Sequence, residues 1–365
     1  MLLRASGRET LGRAAKHILL CCFFVVWTCG CQSTATHDTR PRARLGGLPF
    51  PGFFTLYERG DAKALGTHEY AVWNELGIGH TEGRGILYTC AAGFLDLDHV
   101  RTAADWTWYL SRHVERALTL QQPVVVVVGE DPTRYEIAFN YPPFWHGMDS
   151  TTRARVIEEA SIRMAQRIAF QMSTWHEIIT WYGYKSMLII PEDRSAFTYE
   201  DTMSHIVGVL IGGDAIRDNG DYDAAMTRIL DTTLQRLGAV SGADTTAAIR
   251  LVEGKWWSSG QALKRYLEIG LESRSLRPWL VEGLPCCAGA EPMSFTLPSL
   301  EDVSGHDCSQ MYAVTMTPQI FETHLIQSKF ALPAPRIEPV KHFPQLMEHI
   351  RRDMVKALGP DVDRP

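Results

Sequence analysis

Two stretches of the chain bring imidazole and carboxylate groups close enough to act together. In STWHEIITWYGYK, residues 173–185, His176 is followed at once by Glu177. In the HExxH helix of zinc hydrolases, two histidines one turn apart bind the ion and the glutamate polarises its water. Here Thr180 stands where the second histidine would be. The chain is therefore not a standard member of that class, and a metal would need ligands from elsewhere. The second stretch, GFLDLDHVRTAADWTWYLSRH, places Asp96 three residues before His99. On a helix those two side chains share a face, and an acidic i, i+3 pair of this kind serves metals in carboxylate-rich bundles.

If the two helices pack together, Asp96, His99 and His176 are the candidate ligands. A mixed nitrogen and oxygen set suits zinc, manganese or iron rather than calcium. Glu177 is then the candidate general base for a bound water, and Asp105, further along the same helix as His99, is a second candidate catalytic carboxylate. Glu200 and Asp201 in FTYED, together with Arg101, are candidates for the second shell or a third source of ligands. The alternative stands beside it: buried histidines that hydrogen-bond carboxylates, brace a core and bind nothing.

Cys90 offers a different chemistry. YTCAAGF sets it at a strand end before a glycine turn and a helix, where a thiolate nucleophile could take His99 or His176 as its base. Packing or a disulfide is the ordinary fate of such a cysteine. Beyond residue 31 the chain holds Cys90, Cys286, Cys287 and Cys308. Neighbouring cysteines rarely bridge each other, so Cys308 is expected to pair with Cys286 or Cys287, unless the thiols stay free. No GxSxG elbow and no Walker sequence occurs.

The elements that must position these groups follow from periodicity. ILYTC (86–90) reads as a buried strand and residues 95–117 as a helix. PVVVVVGED (123–131) is uniformly apolar and reads as a central strand, pairing with YEIAFNY across EDPT. A long helix spans 152–181, capped by Ser150 or Thr151. A further helix covers about 199–211, and another is capped by Asp221 and stopped by Gly238. A helix at 243–253 follows; LKRYLEIGLE, RPWLVEGL and MYAVTMT read as strands, and an amphipathic helix ended by Gly359 closes the chain. The order is mixed rather than alternating. It predicts an α+β fold, a mainly helical single domain with a small mixed or antiparallel sheet.

The chain has 365 residues and a net charge of −6, without a basic run interleaved with aromatics, so nucleic acid is not an expected partner. Arg4, Arg8, Arg13 and Lys16 precede the apolar run ILLCCFFVVWTC. That run is too short to cross a bilayer, which takes about 20 residues, and fits a secretory signal. Gly30-Cys31 resembles a lipobox, with Cys31 as the lipidated residue. The expected plan is a leader at 1–30, a flexible tether at 31–50 and one α+β domain at 51–365. Cleavage before Cys31 removes a net charge of +3 and leaves −9. Such a chain is held to the membrane by its N-terminal lipid. Gln32 after the cysteine points to the outer membrane, facing the periplasm.

YTCAAGFLDLDHVRTAADWT, TWHEIITWYGYKS and SAFTYED together resemble a family of bacterial envelope lipoproteins catalogued as a domain of unknown function. The likeness runs from about residue 45 to the C-terminal helix. Cys90, Gly93, Phe94, Asp96, His99, Arg101, Asp105, Trp175, His176, Glu177, Trp181, Gly183, Ser195, Glu200 and Asp201 match its recurring motifs. Where the family usually has TCRGGF, this chain has an alanine at 91. The resemblance implies a lipid-anchored envelope protein. Two functions are expected to compete: metal-dependent hydrolysis of an envelope glycan, peptide crosslink or lipid head group, and a non-catalytic binding or assembly role.

Overall fold

The computed structural model describes residues 40–365 apart from positions 43, 45, 52–61, 63–64, 71–81, 130, 132, 184, 187–189, 192–193, 271–274, 320–323, 325 and 328–335. The leader, Cys31 and the start of the expected tether lie outside the described residues. Arg40–Pro365 forms one compact unit. Its elements in chain order begin with β1 (Ile86–Thr89), β2 (Gly93–Asp96), α1 (Leu97–Leu120), β3 (Val124–Val128), β4 (Arg134–Phe139), α2 (Pro143–Gly147) and α3 (Ser150–Trp181). There follow β5 (Lys185–Ser186), β6 (Ile190–Pro191), α4 (Asp201–Arg217), α5 (Tyr222–Arg236) and α6 (Gly242–Leu251). The chain ends with β7 (Trp257–Ser258), β8 (Gln261–Ala262), β9 (Tyr312–Thr317) and α7 (Pro339–Leu358). The fold is α+β and mainly helical, and its sheets are small and antiparallel.

The site is positioned by α1, α3 and α4, which pack on one another. α4 is apolar around its girth, and every residue from 201 to 209 is buried, as expected of a helix enclosed by others. Its glycines let it come close. A Cβ on Gly208 would overlap the Val100 carbonyl of α1, and one on Gly212 would stand 2.8 Å from the Cα of Ala104. On the α3 side, Gln166 reaches over Gly213 and its Nε2 donates to the Val209 carbonyl at 2.9 Å. The β1–β2 hairpin delivers the chain into α1: its last residue, Asp96, is the helix N-cap and accepts from the Asp98 amide at 2.8 Å. α3 is capped by Asp149, one residue before the expected caps.

Four expectations are corrected. β3 is not central. The sheet order is β3-β4-β9, and Val124, Val126 and Val128 are exposed on the edge strand. Valine's preference for extended backbone holds on an edge as in a core, so composition alone did not place it. The strands expected in LKRYLEIGLE and RPWLVEGL do not form over their described residues, 263–270 and 277–284, which are irregular; one isolated bridge, from Leu276 to Phe295, starts between them.

The stretch read as tether also differs. Arg42, Arg44, Gly47 and Phe50 are buried, so these residues pack into the folded unit. Finally, Cys308 pairs with neither Cys286 nor Cys287. The disulfide joins Cys90 to Cys287, while Cys308 is buried, Cys286 is exposed, and both are free thiols.

Candidate functional site

The two helical histidines do meet. His99 of α1 and His176 of α3 line one hollow of about 60 Å³ together with His205 of α4 and Arg44. That is room for a few water molecules or one small polar group. The hollow's wall also includes Thr102, Asp131 and Ser173. The His99 and His205 ring centroids are 5.1 Å apart.

Carboxylates stand behind His99. Its Nδ1 lies 3.3 Å from Asp201 Oδ1 and 3.9 Å from Asp96 Oδ2. Asp96 and Asp201 are exposed by 1% or less, whereas 19% of the His99 side chain remains exposed. One side of the ring therefore faces buried charge and the other can be reached. Burial alone would lower the His99 pKa. Asp96 and then Asp201 overcome it and raise it well above the usual 6.5. His205 has the opposite surroundings: burial, then the like charges of His99 and His176, push it well below 6.5. Two neighbouring imidazoles are thus driven to different protonation states at neutral pH. Gly46 fits the floor of this arrangement, because a Cβ there would overlap the His99 ring.

Several proposed roles change. Asp96 has both oxygens engaged by main-chain donors, Oδ2 by the Gly47 amide at 2.6 Å and Oδ1 by the Asp98 amide. It works as a helix cap and a staple for residues 46–47, not as a ligand turned to the hollow. Among the described residues, no group of three or more His, Cys, Asp or Glu is placed to hold a metal ion. Glu177 is buried, and its Oε2 accepts the Phe197 amide at 2.8 Å. Burial first, then the neighbouring Asp201, raises its pKa well above 4.5. A base must be ionised, and these surroundings favour the protonated acid. Glu200 is raised for the same reasons, burial and then Asp201, while its Oε1 accepts from the Thr198 hydroxyl at 2.7 Å. Cys90 is committed to its disulfide, which removes the thiolate that a nucleophile requires.

Asp105 and Arg101 stand on another face of α1, in a buried ion network. Asp105 Oδ2 lies 2.8 Å from Arg44 Nη1, and its Oδ1 lies 2.8 Å from His68 Nε2. Arg44 also bonds Glu82 at 3.0 Å, and Arg42 pairs with the same carboxylate. Arg101 Nη1 stands 3.1 Å from His68 Nδ1. A guanidinium can only donate, so Nδ1 accepts and Nε2 carries the ring proton toward Asp105. His68 thus has both nitrogens occupied. Burial would raise the Asp105 carboxyl, but His68 and Arg44 hold it at about 2. Burial lowers Arg101 to about 10. Asp105 therefore acts on the hollow through Arg44, as a positioning residue.

Sequence reasoning missed His205 and Arg44. Asp201 and His205 are one helical turn apart, a spacing visible in the sequence. Arg44 gave no signal, because it sits in a proline- and glycine-rich run that reads as linker.

One expected result tests the state of Glu177. Folding retains a proton there that the unfolded chain releases above about pH 4.5, so this group makes stability fall as pH rises. Glu177→Gln keeps the shape and an acceptor for the Phe197 amide. Relative to wild type, its unfolding free energy should improve steadily between about pH 5 and pH 8. A urea titration at several pH values checks this; a constant or shrinking difference would show that Glu177 is ionised.

A family model described as "Protein of unknown function (DUF4056)" matches residues 30–269. The match contains α1, α3, α4 and every residue that lines the hollow. No curated protein and no solved structure matches the chain.

Proposed function

For a chain that belongs to the DUF4056 family, a family of unknown function, we propose general acid–base catalysis by His99 and His205 on a component of the bacterial envelope. The observation that carries this reading is a pair of imidazoles 5.1 Å apart whose surroundings push their proton affinities in opposite directions. Such divergence assigns the roles. His99, held charged by Asp96 and Asp201, is the proton donor to a leaving group. His205, held neutral, accepts a proton from water or a hydroxyl. Arg44, its guanidinium paired with Asp105 and Glu82, forms a fixed polar part of the hollow's wall. A hydrolase acting on a glycan, peptide crosslink or lipid head group is the reaction class that fits. The address rests on the sequence: the basic leader, the short apolar run and Cys31 support a lipid anchor in the outer membrane. Among the described residues, no helix is long and apolar enough to cross a membrane.

The test is a histidine titration by NMR, with His99→Gln and His205→Gln assigning the signals. His205 should titrate below 6.5 and His99 above it. Both titrating together near 6.5 would remove the acid–base pair and leave a binding or assembly role. A metal-assisted reading, with His99 and His176 as ligands, finds no preformed three-residue cluster among the described residues; stoichiometric metal in untagged protein, lost in His176→Ala with the fold retained, would select it over the acid–base pair.

A further inference from the structure

A second cavity, of about 370 Å³, opens between residues 266–268, residues 275–279 and α7. It shares no lining residue with the histidine hollow. Its volume falls within the range of small-molecule sites, about 300–1,000 Å³. Two aromatic side chains, Tyr266 and Trp279, form part of its wall, with ring centroids 5.4 Å apart. Trp279 is braced from another direction by Trp256, at 5.7 Å, yet remains partly exposed. Its ring is therefore held in place and can still be reached. The Tyr266 hydroxyl is turned away to the Arg277 carbonyl, at 2.9 Å.

The wall carries charges of both signs: Glu268, Glu348 and Asp363 contribute carboxylates, and Arg277 and Arg351 contribute guanidiniums. Arg351 is oriented by Asp363 at 2.6 Å. An anion entering here would meet the two glutamates, and a cation would meet the arginines. A neutral ligand rich in hydroxyls satisfies both, because each hydroxyl donates to a carboxylate and accepts from a guanidinium. The apolar C–H face of a sugar ring stacks on an indole, an amphipathic match for this wall. We propose that this cavity is a glycan subsite that takes one or two neutral sugar rings. It stands independently of the acid–base reading.

The experiment titrates the full-length chain with triacetylchitotriose and with maltotriose. It follows tryptophan fluorescence and saturation-transfer NMR, with inorganic phosphate as the charged control. Saturable binding of at least one sugar is expected. Trp279→Ala should weaken it by roughly tenfold or more, and Glu348→Gln by roughly threefold. If Trp279→Ala does not fold, Glu348→Gln, on the exposed side of α7, decides. Three results would each overturn the proposal: no saturable sugar binding at tens of millimolar, sugar binding unaffected by Glu348→Gln, or phosphate binding in place of sugar.

Discussion

Asp105→Asn should cost about 3–5 kcal/mol of folding free energy at neutral pH, the usual range for removing one partner of a buried ion pair. The side chain changes little in size. What changes is charge: among the described residues, Arg42, Arg44 and Arg101, all buried, would then have Glu82 as their shared ion-pair partner. The sign of the pH dependence follows from the depressed pKa. Asp105 is held at about 2 against an ordinary 3.8, so the native state binds fewer protons than the unfolded chain in that window. Its contribution is complete above about pH 4 and disappears as pH falls toward 2. The variant should therefore lose part of the acid limb of the wild-type stability curve as well as its height. Urea unfolding at pH 7 and at pH 3 measures both. A loss below about 1 kcal/mol at pH 7 would show that the network is not energetically coupled. Asp105→Asn/Arg44→Met should recover part of the loss, because it restores the charge balance.

The second large effect has the opposite sign to the expectation from helix propensity: in an exposed helix, Gly→Ala gains about 1 kcal/mol, whereas Gly212→Ala should lose about 1–3 kcal/mol. Its Cβ would stand 2.8 Å from Ala104 Cα and 2.9 Å from Ala104 O. Those are main-chain atoms, which no rotamer change can move. α1 and α4 must separate, and His99 and His205 are carried on those two helices. The expected result is a lower midpoint in thermal unfolding together with altered His99 and His205 resonances. A stabilised variant would mean that the seam yields without strain.

Much of the helical frame was readable because its signals are local. The α3 stripe of Ala165, Ala169 and Met172, the Asp221 cap and the Gly238 and Gly359 stops each involve residues a few positions apart, whereas the α3 cap was expected at Ser150 or Thr151 and is Asp149. The meeting of α1 with α3 was legible for the same reason, since His99 and His176 lie on apolar stripes. What was not legible depends on partners distant in the chain. Arg44 and His68 acquire meaning through Asp105, 61 and 37 positions away in sequence. β3 looked central because five valines do not state how many neighbours a strand has. Residues 263–270 carry the alternation of a strand, yet they are held by distant contacts instead: the Arg265 amide donates to Val362 O, and the Tyr266 amide to Phe197 O. Glu177 was assigned its role by sequence likeness to HExxH, and burial reverses the protonation that role requires.

The bond between Cys90 and Cys287 spans 197 positions and joins the segment matched by the family model to a part of the chain beyond it. A single protease nick anywhere in that interval would leave two fragments still travelling as one band on a gel. They would come apart only after reductant and denaturant are added together.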